Sequence, residues 1–217
     1  MKDNTKSKDQ DKEFRTVGVI GRFKPLHTGG ALMLETICEK AEHVIIGIGS
    51  CNKYNLRNPF TARESREMID IYLSPKHSHY SFLYIPDFAH NPKYKNGQRW
   101  VSEVLKKYGS LDAFISGDEY VRKLLKEHYK VISPGDLIPR EKWLMLRGTM
   151  VRVEIAKGGN DWKLYVPKAV SVYLEKNNLV YRFRQEFGLE TLSMLETCDD
   201  YYLPEGSEKE KLHTQEV

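Results

Sequence analysis

The chain has 217 residues, 40% of them apolar, with 34 lysines and arginines against 30 aspartates and glutamates. That length suits one globular domain with a real core and is too short for two comfortable ones, and a net charge of +4 falls short of the basic excess of a nucleic-acid coat. Three cysteines without CxxC spacing suggest neither a disulfide framework nor a zinc site, and no apolar run reaches the ~18 residues of a membrane span, so a reducing cytoplasm, no membrane and no nucleic acid are expected.

In chain order, residues 1–13 alternate charged and polar side chains with almost nothing apolar to bury, and are expected to form a disordered tail. Thr16–Gly21 (TVGVIG) is a short β-branched run of the kind found in strands buried on both faces. Ala31–Ala41 then carries Leu34, Ile37, Cys38 and Ala41 at helical spacing. Val44–Gly49 (VIIGIG) reads as a second strand, and Thr61 with Glu64 three residues on forms a capping box before the helical pattern Met68, Ile69, Tyr72, Leu73. Ser81–Pro86 reads as a third strand. The polar stretch Asp87–Gln98 is longer than a tight turn and is a candidate lid. Trp100, Val101, Val104 and Leu105 restore the helical period until Gly109 stops it, and Ala113–Ser116 and Tyr129–Ser133 complete five strands. The polar end, Glu205–Val217, reads as a second tail. The expected division is therefore a domain over 14–187 and a largely mobile extension over 188–217.

Strand alternating with helix implies right-handed crossovers and a Rossmann-like α/β fold: an open parallel sheet of about five strands with helices on both faces. Such sheets bind ligands beyond the carboxyl ends of their strands, which directs attention to the loops after Ile20, Ile48, Ile85 and Ile115. The first of these, Gly21-Arg22-Phe23-Lys24-Pro25-Leu26-His27-Thr28-Gly29-Gly30, runs from a strand straight into a helix. A helix start with its dipole behind it attracts anions; Arg22, Lys24 and His27 add donors, and the glycines permit close backbone approach. The spacing is neither GxGxxG nor GxxxxGK[ST].

GRFKPLHTGG resembles the GRFxPxHxGH signature of the nucleotidyltransferase superfamily, and more narrowly that of archaeal-type nicotinamide-nucleotide adenylyltransferases. NPFTARESREMI (Asn58 to Ile69), ISGDE (Ile115 to Glu119), RGTMVR (Arg147 to Arg152) and VPKAVSVYL (Val166 to Leu174) are similar to that family's later motifs, in the same order, from Thr16 to about Leu179. The resemblance implies transfer of AMP from ATP to nicotinamide or nicotinate mononucleotide, with Mg2+, in a homo-oligomer. It implies His27 and Arg152 as catalytic residues, and Gly21, Arg22, Phe23, Lys24, Gly29, Gly30, Gly117, Asp118, Arg147, Gly148 and Thr149 around ATP. Arg57 and Trp100 are implied at the mononucleotide, and no residue is assigned as a metal ligand.

Attack of a phosphate on the α-phosphorus of ATP needs two anions held in line and the charge on the departing pyrophosphate neutralised, so cations rather than a nucleophilic triad are the expected equipment. Two positions depart from the pattern. Gly30 replaces a histidine, where loss of one transition-state donor typically costs about 10² to 10³ in rate, and Arg147 replaces a serine. A neighbouring cation such as Lys24 or Arg57 could compensate, the acceptor could be another phosphorylated molecule, or the domain could bind nucleotide with little turnover. Plainer roles stand beside the functional ones: helix core for Trp100, turn and N-cap for Gly117 and Asp118, surface for Arg57. His43, His77, His79, His90 and His128 lack metal-ligand spacing and are expected at the surface.

Overall fold

The computed structural model describes residues 12–94 and 96–197. Five parallel strands, β1 (Phe14–Gly21), β2 (Ala41–Gly49), β3 (Tyr80–Ile85), β4 (Ala113–Ile115) and β5 (Val131–Ile132), form one sheet in the order β3-β2-β1-β4-β5. The helices are α1 (Thr28–Lys40), α2 (Ala62–Leu73), α3 (Gln98–Tyr108), α4 (Glu119–Leu125), the single turn α5 (Pro134–Leu137), α6 (Gly148–Ala156), α7 (Lys168–Lys176), α8 (Leu179–Phe183) and α9 (Leu189–Thr197). With β1 central and the chain stepping outward from it in both directions, the loop after β1 lies where the strand order reverses, the usual ligand crevice of such sheets.

Strand alternation divides the core in two. Val17 and Val19 of β1 and Val44, Ile46 and Ile48 of β2 pack with Leu34 and Ile37 of α1, Met68 and Ile69 of α2, and Val151, Val170 and Phe183 from the later helices. The other face is thinner: Ile20 and Ile45 meet Val101, Val104 and Tyr108 of α3, Phe114 of β4 and Leu125 of α4. There the sheet is bare where the two glycines Gly18 and Gly47 fall. Tyr108 lies over that gap, donating its buried hydroxyl to the Val19 carbonyl at 2.8 Å, and a Cβ on Gly47 would stand 2.0 Å from that hydroxyl oxygen.

The five expected strands and three expected helices are present. Ala41, expected at the end of a helix, instead opens β2: it caps α1 with extended angles (φ −119°, ψ 146°) while pairing with Phe14. The capping box at Thr61 forms in full, with Glu64 N–H donating to Thr61 Oγ1 at 3.2 Å and Thr61 N–H to Glu64 Oε2 at 2.8 Å.

At the chain ends, the Lys12 ammonium donates to the carbonyls of Cys38 (3.2 Å) and Glu39 (2.8 Å), and Lys40 pairs with Glu13, so the last two residues of the expected first tail close the carboxyl end of α1. Leu189–Thr197, counted in the mobile extension, continue the fold as α9 with Thr191 fully buried. A π-helical turn, Arg184–Gly188, joins α8 to α9. The remainder of both expected tails, and Cys198, lie outside the described residues. Among those described, no helix is long and apolar enough to cross a membrane.

Candidate active site

The loop after β1 is held by its own hydrophobic residues. A Cβ on Gly21 would stand 2.7 Å from the Phe23 ring, and Leu26 is fully buried, which fixes the backbone between them. His27 is the N-cap of α1: its Nδ1 accepts the Gly30 N–H at 3.1 Å. Burial, and secondly the Arg152 guanidinium, push the imidazole down to about 4, so it is neutral at physiological pH. A neutral ring whose Nδ1 accepts carries its proton on Nε2, which makes Nε2 a donor.

The start of α6 abuts the same loop. Arg152, 6% exposed, donates through Nη1 to the Lys24 carbonyl and through Nη2 to Thr149 Oγ1, both at 2.9 Å. Gly148 permits that approach, since a Cβ there would be 3.3 Å from Arg152 Nη1 and 3.4 Å from the Lys24 carbonyl oxygen. Arg147, the N-cap of α6, makes no side-chain capping bond. Two helix starts and their dipoles thus converge beside His27 and Arg152, an arrangement suited to a polyanion. The strand of chain before α6 also reaches α1: a Cβ on Gly29 would lie 3.3 Å from the Leu144 carbonyl. Gly30 is different, its Cβ position meeting nothing nearer than Leu26 at 3.5 Å and the His27 ring at 3.6 Å, so a side chain could start there.

Lys24 is 2% exposed, and its ammonium donates to the Ser50 carbonyl (2.9 Å) and Asn58 Oδ1 (3.3 Å), bridging to the loop after β2. Burial first, then the Arg22 charge, push it down to about 8. Ser50 adopts φ +49°, and Asn58, 5% exposed, is held by Asn55 Oδ1 through both its backbone and side-chain N–H groups. Ser50, Asn55 and Asn58 are not among the site residues the sequence points to; the available signal is an asparagine ahead of proline in a strand-end loop.

The other candidates lie outside the hydrogen bonds that tie Arg152 to Lys24 and Thr149 and His27 to Gly30. Arg22 is exposed. Arg57, also exposed, borders a shallow groove with Tyr54, Phe187 and Met194. Trp100 is half-buried against the α3 side of the core, and Asp118 caps α4 by accepting the Val121 N–H at 3.0 Å, so both occupy the plainer positions described for them. Gly117 is exposed beside Pro134. In the stretch Asp87–Gln98, Phe88 packs edge-on to Tyr94 with Arg99 over its ring, and Asn52 and Asp87 exchange two hydrogen bonds. The histidine expectation needs correction: His90 and His128 are exposed, but His43, His77 and His79 are half-buried near the amino end of β3, His43 facing Ser81 Oγ and His79 the Cys38 carbonyl.

The β2–α2 loop is clamped from the C-terminal side, which no motif announced. Arg182 grips both oxygens of Glu64 at 2.6 and 2.8 Å and the Pro59 carbonyl at 3.2 Å, Tyr54 donates to Glu186, and Arg184 donates to the carbonyls of Ile155 (2.8 Å), in the last turn of α6, and Gly159 (2.9 Å), just beyond it. One segment therefore braces both walls of the cradle.

Known proteins share this framework. A family description, cytidylyltransferase-like, matches residues 19–180. The nicotinamide-nucleotide adenylyltransferase of Methanococcus vannielii is 33% identical over 159 residues, 72% of this chain and 87% of that protein. That of Picrophilus torridus is 34% identical over 170 residues, 76% of this chain and 94% of its own length. Among solved structures, a bifunctional NMN adenylyltransferase/ADP ribose pyrophosphatase from Francisella tularensis, crystallised with AMP and a manganese ion, superposes with a TM-score of 0.55 at 19% identity. The superposition covers 79% of this chain and 55% of that one, and shows a common fold. With the loop after β1, the start of α6 and the helices behind them all inside the matched span, the chain belongs to the cytidylyltransferase-like family of nucleotidyltransferases, in the company of the archaeal nicotinamide-nucleotide adenylyltransferases.

Proposed function

We propose that the protein transfers AMP from ATP to nicotinamide mononucleotide, or to its nicotinate analogue, releasing pyrophosphate. A phosphate oxygen of the mononucleotide forms a bond to the α-phosphorus of ATP as the bond to the bridging oxygen of pyrophosphate breaks, and the product is NAD or its acid form. The observation that carries this reading is the junction of α1 and α6, where Arg152 is bonded to the backbone of the His27 loop. The relatives that share this framework act as nicotinamide-nucleotide adenylyltransferases by name.

In this reading, the first-turn amides of Thr28 and Gly29 and the Nε2–H of His27 hold ATP phosphate oxygens, and the Gly148 and Thr149 amides with Arg152 take the charge that grows on the leaving pyrophosphate. Their placement before the substrate arrives spares reorganisation at the moment of reaction. Gly21, Phe23 and Arg22 shape the loop and its field, and Arg147 adds a cation at the start of α6. Arg57 and Trp100 serve the mononucleotide phosphate and ring, and Gly117 with Asp118 the adenosine. Among the described residues no group of three or more His, Cys, Asp or Glu side chains is arranged to hold a metal, and the cradle is lined by cations. Mg2+ therefore fits as part of the nucleotide complex, liganded by phosphate oxygens and water, where it would neutralise charge on the β- and γ-phosphates. A homo-oligomeric, cytoplasmic enzyme completes the reading, its domain of residues 14–187 extended by the packed α9.

The test is pyrophosphate release from ATP and Mg2+ with each mononucleotide. Turnover with either one is expected, and none with both at micromolar enzyme would reject the reading. Gly30 favours a second possibility, a nucleotide-binding module with weak catalysis; it predicts ATP binding without appreciable turnover, and turnover appearing in Gly30→His.

A further inference from the structure

We propose that Lys24 is a positioning residue left deliberately short of counter-charge, which the phosphates of the bound nucleotide supply, so that substrate binding locks the β1–α1 and β2–α2 loops together and takes up a proton. The inference deepens the adenylyl-transfer reading and rests on it for the identity of the anion.

A buried ammonium is costly unless it is paired as well as hydrogen-bonded. Lys24 is buried, yet among the described residues it forms no ion pair; its two partners are oxygen dipoles, the Ser50 carbonyl and Asn58 Oδ1. The charged and titratable groups around it do not fill the gap. Arg22, on its own loop, repels it. Cys51, on the facing loop, has its thiol pushed up by burial and stays neutral. Glu64 on α2 attracts it, but both carboxylate oxygens are already committed to Arg182 and the Thr61 N–H. Arg152, from α6, brings a further positive charge to the Lys24 carbonyl, and His27 is neutral. What is missing is an anion, and the two helix starts that favour one converge on the same loop, at the Lys24 carbonyl.

Position adds the second part. The backbone of Lys24 holds Arg152, and its side chain holds Ser50 and Asn58, so three chain segments around the cradle meet at one residue. With the ammonium poised at about 8, Lys24 is close to half-protonated at that pH, and a polyphosphate arriving nearby raises its proton affinity. Binding and protonation then reinforce each other.

The experiment is calorimetric titration of the full chain with the α,β-methylene analogue of ATP, whose α–β linkage cannot be cleaved, at pH 7 and pH 8, in buffers of different ionisation enthalpy. Wild type is expected to take up roughly half a proton per nucleotide at pH 8 and much less at pH 7. Lys24→Arg, charged throughout, should bind without that uptake and hold kcat/KM for ATP flat above pH 8, where wild type declines. Lys24→Met should bind at least about tenfold more weakly, with affinity unchanged between pH 7 and pH 9, while a thermal melt confirms its fold. Uptake persisting in Lys24→Arg, or wild-type affinity in a folded Lys24→Met, overturns the inference and leaves adenylyl transfer standing. If Lys24→Met does not fold, the Lys24→Arg titration decides alone. Failure of wild type to bind the analogue overturns both.

Discussion

His27 caps α1 through Nδ1, and in the proposed reaction its Nε2–H is a phosphate donor as well. Removing it should cut turnover by about 10² or more, the typical cost of one oxyanion donor. His27→Asn can still accept the Gly30 N–H as an N-cap. A large loss of turnover in that variant, with the melting temperature preserved, would separate the donor from the cap; steady-state rates and a thermal scan together decide it. Gly30 is the complementary test. Its Cβ position has ordinary van der Waals surroundings, so Gly30→His should fold with little change in melting temperature, and if a second imidazole is worth what such donors usually are, turnover rises by about tenfold or more. A large loss of stability would show that the space is not available.

At the scale of elements, the proposed reaction relies on α6 lying against the loop after β1, where Gly148 makes the close approach. Gly148→Ala places a Cβ 3.3 Å from Arg152 Nη1 and 3.4 Å from the Lys24 carbonyl oxygen, contacts that require the helix or the guanidinium to give by a few tenths of an ångström. The expected outcome is a raised KM for ATP with a nearly unchanged melting temperature, measured by initial rates across ATP concentration. Thr61→Ala, by contrast, removes the cap of α2 and should cost about 1 kcal/mol in denaturant unfolding. These elements differ in how visibly they were written in the residues. β1, β2, α2 and α3 could be placed from apolar period and capping chemistry alone, because the forces that form them act between neighbours in sequence. The cluster of His27, Lys24 and Arg152 needed the motif resemblance, since Lys24 and Arg152 are 128 positions apart. The Arg182–Glu64 clamp and the Lys24–Asn58 bridge were not legible, because a lone arginine or asparagine in a polar stretch looks the same whether it faces water or a partner 118 or 34 residues away.

The whole molecule should carry the signature of His27 in its acid stability. Its folded-state pKa of about 4 lies below the ordinary 6.5, so between those values the unfolded chain binds the proton and the folded one does not. Stability is therefore expected to fall as pH drops from about 6.5 towards 4, and His27→Asn should weaken that dependence; urea unfolding at a series of pH values measures both. Glu64, whose carboxyl is held low chiefly by Arg182 against the opposing effect of burial, adds a loss in the same direction further into acid.

The thin face of the sheet has an implication for how such a chain can change over generations. With the Tyr108 hydroxyl standing where a Gly47 methyl would go, any larger residue at 47 is lethal to the packing as long as tyrosine is present, whereas Tyr108→Phe leaves only the ring edge, 3.1 Å away, in the path. Sequence drift at this spot has a compulsory order, the phenol being surrendered before the glycine, and chains that keep the tyrosine inherit the glycine with it.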